Sequence, residues 1–360
     1  VKTNIPQTLM VFPLITSLLK PANESQTADT HNNIFGRVLN PYRLCLTAGG
    51  SSGGEGALSA LHGSVLGVGT DIAGSIRIPA FCNGVTGFKP TARRIPYSGQ
   101  TGPGRPGRFG ILACAGPICH SIADAQYFMA NVLDHDCWTL DGGVVSVLWR
   151  EMGARFEGKN LRIGVIGEDV QFPLLPPMAR IYAEVEKKVS AAGHTLIHLQ
   201  LPANNLSTTT ITAVKSFSQD PSSVPFQHIA ASGEPIIPSI PTTFPPELAG
   251  YKPTLDGVFD LNVEIAKVQK FWREIWVGNE LDAVIMPVHQ GTPPKHDEYG
   301  GPPYTVLANL LDVSGWRRVV KFGVLLIRTD LVSFLRNSVW EGREGEGQRV
   351  DKGREICASL

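Results

Sequence analysis

Two glycine-rich turns hold the residue types best placed to do chemistry. They are Gly49-Gly50-Ser51-Ser52-Gly53-Gly54-Glu55 and Gly69-Thr70-Asp71-Ile72-Ala73-Gly74-Ser75-Ile76-Arg77. Each sets serine among glycines, and Ser75 lies 24 residues beyond Ser51. Glycine admits backbone shapes that other residues resist, so such turns can bring main-chain N–H groups close to a ligand. A serine at the edge of one is a candidate nucleophile with oxyanion donors beside it. Ser75 is that candidate, because the amides of Ile72, Ala73 and Gly74, with its own, can converge on one point. No histidine adjoins either serine and the Gly-x-Ser-x-Gly elbow is absent, so a Ser-His-Asp triad is not supported. A serine without histidine needs another base, and a serine–lysine relay is the known alternative. The bland reading, that the serines only tie down loops, loses ground once the two blocks are seen together.

The elements around these turns read as alternating strands and helices. Residues 54–62 (GEGALSALH) form a short helix opening on glycines, and 65–68 a buried strand. Residues 71–78 run from a loop into another helix, closed by Pro79. A strand over 161–166 precedes an amphipathic helix marked by Met178, Ile181, Tyr182, Val185 and Val189, which Gly193 ends. The next strand covers 195–199. This order predicts parallel strands with crossover helices. Residues 201–255, rich in Pro, Ser and Thr without sustained periodicity, read as long loops around a substrate entrance. A long helix over 258–277 and a strand over 282–287 follow.

Composition narrows the function classes. The 360 residues carry 32 basic and 32 acidic side chains, and only 18% are charged. No basic field exists for nucleic acid or an anionic membrane. Six cysteines without CxxC spacing read as thiols in a reducing compartment, hence a cytoplasmic location. The nine histidines form no metal motif. The N-terminal residues show no signal pattern. No apolar run reaches the roughly 18 residues of a membrane span; the best, 319–335, is broken by Lys321, Arg328 and Asp330.

The run 48–90 resembles the amidase signature family, which hydrolyses amides with a Ser–cis-Ser–Lys triad. The resemblance implies that Ser75 is the acyl-forming nucleophile. Ser51 would be the bridging serine, following a cis peptide at Gly50–Ser51. Ile72, Ala73, Gly74 and Ser75 would form the oxyanion hole, with Ser52, Asp71 and Arg77 in support. Thr3-Asn4-Ile5-Pro6-Gln7, Gly87-Phe88-Lys89-Pro90-Thr91 and Gly116-Pro117, read as opening a helix, also match family stretches. Glu55 and Thr70-Asp71-Ile72 look more like the fungal acetamidase and fatty-acid-amide branch than the tRNA amidotransferase subunits. The fold implied is an α/β/α sandwich, a mixed central sheet with helices on both faces, as one domain over 1–312. The reaction implied is hydrolysis of a small-molecule amide without metal or organic cofactor. A homodimer is left open. A non-catalytic amidase-like fragment and an amidotransferase subunit stand as alternatives.

The sequence departs from the family in two ways. The triad lysine belongs to a Lys-Asp segment well upstream of the bridging serine, and neither Lys2 nor Lys20 matches that position. Residues 11–26 and 313–360 look foreign, the latter becoming Arg/Glu/Gly-rich after Glu341. Both read as translated intron. Removing 11–26 joins Met10 to Thr27 in a family-like stretch, and Val313-Ser314 could encode a splice donor. Residues 11–26 and 314–360 are therefore expected to pack poorly, and the chain to be a very poor hydrolase.

Overall fold

The computed structural model describes residues 27–32, 35–99, 104–149, 158–202, 205–317 and 324–327. The strands β1 (His31–Asn32) and β2 (Gly36–Arg37) pair as a small antiparallel ribbon. Eight more strands share one sheet. They are β3 (Leu66–Asp71), β4 (Thr86–Lys89), β5 (Cys114–Cys119), β6 (Arg162–Val165), β7 (Thr195–His198), β8 (Ala283–Pro287), β9 (Gly315–Arg317) and β10 (Val324–Ile327). Their order is β3-β5-β4-β9-β10-β8-β6-β7. Among the described residues, only β8–β6 and β6–β7 are parallel; the other pairs run antiparallel. The sheet is thus mixed, and the parallel arrangement read from the β-α-β order holds for its β7 end alone.

The helices are α1 (Gly53–Ala60), α2 (Arg77–Cys82), α3 (Ile122–Leu133), α4 (Pro176–Ala191), α5 (Asn205–Phe217), α6 (Val224–Ser232), α7 (Ser239–Thr243), α8 (Leu255–Gly278) and α9 (Pro303–Leu310). Successive side chains of a strand point to opposite faces, and here both faces are covered. Ala283 and Ile285 of β8 pack with Tyr182, Val185 and Val189 of α4. Val284 and Met286 of the same strand pack with Trp272 of α8 and Tyr304 and Leu307 of α9. At the other end, Ala115 and Cys119 of β5 meet Ala125 and Met129 of α3, while Ile118 meets Ile76 and Ala80. Three layers result, helix on sheet on helix.

Several expectations change. Residues 201–255 are not one long loop, for α5, α6 and α7 lie within them. The buried face of α5 is made of Leu206, Ser207, Thr209, Thr210, Thr212, Ala213, Val214 and Ser216. Its hydroxyls hid it: Thr210 Oγ1 donates back to the Leu206 carbonyl at 2.7 Å, as Thr does inside helices. Pro79 does not close α2 but sits in its first turn, where the missing N–H costs nothing. Gly116 and Pro117 lie in β5, and the helix after them starts at Ile122 behind a reciprocal Ser121–Asp124 capping box.

The chain after 312 also differs from a tail without packing. Val313 and Ser314 are held by the family-like Lys-Pro-Thr segment: Lys89 Nζ donates to the Val313 carbonyl at 2.8 Å and the Thr91 amide to Ser314 Oγ at 3.1 Å. Strand β9 then pairs with β4, and β10 joins β9 to β8. An unbroken apolar run, Val324–Ile327, suits such a central strand. Residues 3–7, Lys2, Lys20, 11–26 and 328–360 lie outside the described residues. Cys82, Cys114, Cys119 and Cys137 are buried and in no disulfide, whereas Cys45 is disulfide-bonded, against the all-thiol reading.

Candidate active site

The first serine turn is built on the segment 27–30. Thr30 Oγ1 donates to the Gly49 carbonyl at 2.9 Å and accepts from the Gly53 amide at 3.1 Å. Thr47 Oγ1 accepts from the Gly49 amide at 2.9 Å and donates to Asp29 Oδ1. A Cβ at Gly50 would stand 2.4 Å from the Asp29 carbonyl oxygen, so only glycine allows the turn to lie so close. The Gly50–Ser51 peptide is cis. Ser51 and Ser52 are buried.

The second turn leaves the end of β3 and is organised by one carboxylate. Asp71 Oδ1 accepts from the Gly74 amide at 2.9 Å, and Oδ2 from the Ile76 amide at 3.1 Å. Arg77 adds Nε to Oδ2 at 3.0 Å and Nη2 to Oδ1 at 2.9 Å, a bidentate pair with both side chains fully buried. Burial pushes the Asp71 carboxyl up, but the Arg77 guanidinium and the hydrogen bonds from Arg77 and Asn309 outweigh it and hold it at about 2. The Gly74 N–H is therefore taken. Of the four residues expected as oxyanion donors, Ile72, Ala73 and Ser75 remain as those with amides not drawn to Asp71. Gly74 instead supplies the backbone shape, at φ +139°.

The two turns meet. The Ser52 amide donates to the Ser75 carbonyl at 3.2 Å, and Ser52 Oγ accepts from the Thr70 amide at 3.2 Å. Ser52 thus ties the start of α1 to the end of β3. Ser75, Ile72 and Ala73 stay half-buried.

Helix α9 supplies residues that the sequence did not announce. Asn309 Nδ2 donates to Asp71 Oδ1 at 3.0 Å and its Oδ1 accepts from Arg77 Nη2 at 2.6 Å. The Thr305 carbonyl accepts from Arg77 Nη1 at 2.7 Å, and Thr305 Oγ1 donates to the Ala73 carbonyl at 2.6 Å. Their signal was slight: two polar residues one helical turn apart in an apolar octet, Pro303–Leu310. Asp29 and Thr47 carried no signal at all. Lys89 is fully buried, and burial pulls its amine down. Among the described residues, no three His, Cys, Asp or Glu side chains gather as a metal site, and no helix is long and apolar enough to cross a membrane.

Comparison with known proteins agrees with this architecture. The Amidase family pattern matches residues 23–238. A protein named "Amidase" from Gibberella moniliformis is 34% identical over 324 residues, 89% of this chain and 57% of that one. An "Acetamidase" from Aspergillus oryzae is 36% identical over 324 residues, 87% of this chain and 55% of that one. Among solved structures, "Fatty acid amide hydrolase" superposes with a TM-score of 0.74 at 28% identity, over 86% of this chain and 55% of that one. The chain spans little more than half the length of these relatives.

Proposed function

The chain belongs to the amidase family, and on that premise we propose that it represents a serine amide hydrolase of the Ser–cis-Ser–Lys type. Ser75 Oγ attacks the amide carbonyl carbon, and its proton passes to Ser51. The oxygen of the tetrahedral intermediate is met by the amides of Ile72, Ala73 and Ser75. As the C–N bond breaks, the relay returns the proton to the departing ammonia or amine. Water then splits the Ser75 ester to a carboxylic acid, freeing the hydroxyl for the next turn. In the family pattern a lysine ends this relay, further upstream than Lys2 or Lys20.

The observation that carries the reading is the contact between the two serine turns, Ser52 N–H to the Ser75 carbonyl at 3.2 Å. It brings the proposed nucleophile and the proposed bridging serine onto one rigid support. A fluorophosphonate probe tests it. After long incubation, mass spectrometry should find the adduct on Ser75, and Ser75→Ala should abolish it. An adduct on another side chain, or none, would refute the assignment.

A further inference from the structure

The segment beside the Ser75 turn also carries a cation that no carboxylate pairs with among the described residues. Arg108 lies in the segment 104–112, which runs along α5: the Ile111 amide donates to Ser216 Oγ at 3.3 Å, and a Cβ at Gly110 would stand 2.4 Å from the same oxygen. The Arg108 guanidinium carbon sits 5.6 Å from the Phe217 ring centroid. Phe217 packs in one apolar cluster with Ile111, Ala213, Val306 and the turn residues Ile72 and Ala73. Arg108 also interacts electrostatically with Tyr97, whose hydroxyl shares a hydrogen bond with the side chain of Thr70, the residue before Asp71.

Arg77, Arg37 and Arg105 each pair with a carboxylate, namely Asp71, Asp297 and Asp220. Arg108 has no such partner among the described residues. Its rim is open to solvent, yet desolvation by its neighbours pulls its pKa down. A guanidinium with one face on an aromatic ring keeps its N–H edge free for bidentate recognition of a carboxylate.

We infer that Arg108 recognises a carboxylate on the acyl side of the substrate, so that the site prefers monoamides of dicarboxylic acids over neutral alkyl amides. This rests on the amide-hydrolase reading and narrows its substrate class. The test is calorimetric binding to the full chain carrying Ser75→Ala, which prevents turnover. The probes are succinamate, glutaramate and adipamate, with butyramide as the neutral reference.

At least one dicarboxylic monoamide should bind about tenfold or more tighter than butyramide, the scale of one charge-assisted pair. Arg108→Met should bring that ratio near one, and Arg108→Lys should keep part of it. A ratio near one in the Arg108 protein, or a ratio that survives Arg108→Met, overturns the inference. Phosphonate labelling of Ser75 without binding of any probe overturns it alone. The absence of both labelling and binding overturns the amide-hydrolase reading as well.

Discussion

Replacing Asp71 with asparagine keeps the shape of the side chain and removes the charge that organises the Ser75 turn. Two contributions set the size of the effect. The carboxyl sits at about 2 against an ordinary 3.8, a difference worth about 2–3 kcal/mol. The amide group put in place of Oδ2 also turns a donor toward the Ile76 amide and Arg77 Nε, which now donate to that oxygen. The Arg77 bond is already contained in that difference, and the lost Ile76 bond adds about 1 kcal/mol. The sum, about 3–4 kcal/mol, falls in the roughly 3–5 kcal/mol expected when one partner of a buried ion pair is removed and the other stays in place. Urea unfolding at pH 7, followed by tryptophan fluorescence with Trp272 buried as a reporter, reads this directly. The midpoint should fall while the slope stays unchanged.

The acid limb gives a second readout. A carboxyl held below its unfolded value contributes stability that is full above about pH 4 and is lost as pH falls toward 2. The native chain should lose about 2–3 kcal/mol over that window, and Asp71→Asn should show a shallower fall. Adding Arg77→Met to Asp71→Asn should recover part of the loss, since no unpaired charge is then buried. A cost below about 1.5 kcal/mol, set against the pair removal expected above, or an acid limb identical in both proteins, would refute this account of the turn.

Two further outcomes follow from the same turns. Gly74→Ala places a Cβ 2.4 Å from Thr305 Oγ1 and 2.7 Å from Ile78 Cδ1 at φ +139°, so strain and overpacking together should cost about 3 kcal/mol or more. A loss under 1 kcal/mol in the same urea assay, about the low end of either effect alone, would contradict it. Asp29→Asn should act the other way. Burial, with Asp297 nearby, holds this carboxyl above 3.8 despite its bond from Thr47 and the charges of His296 and Arg37. Its ionised form therefore costs stability at neutral pH, and the cost fades as pH falls. The asparagine protein should unfold at higher urea at pH 7, with the advantage gone near pH 4. A constant difference across that range would show that ionisation is not its source.

What the sequence disclosed follows a physical rule. The serine turns, β6, α4, α8 and β8 were legible because glycine spacing and apolar periodicity are local. Helix α5 was not, because its buried face is largely threonine and serine, which satisfy themselves by back-bonding and leave no apolar period. The support of the site by Thr305 and Asn309 was not legible either, because hydrogen bonds between distant segments leave no spacing to read. The family-like order of residues could suggest four oxyanion donors, but only the fold reveals that Asp71 claims the Gly74 amide.

The dependence of the Ser75 turn on α9 has a consequence for the making of the protein. Asp71 and Asn309 are 238 residues apart in the chain, and Ala73 and Thr305 are 232 apart. Contacts of such separation must overcome a large loop-closure entropy and form late. During synthesis from the N-terminus, β3 and both serines leave the ribosome long before the helix that fixes their geometry. The Ser75 turn is therefore made early and fixed last, so a nascent chain that stops short of α9 holds the serines without the frame that positions them.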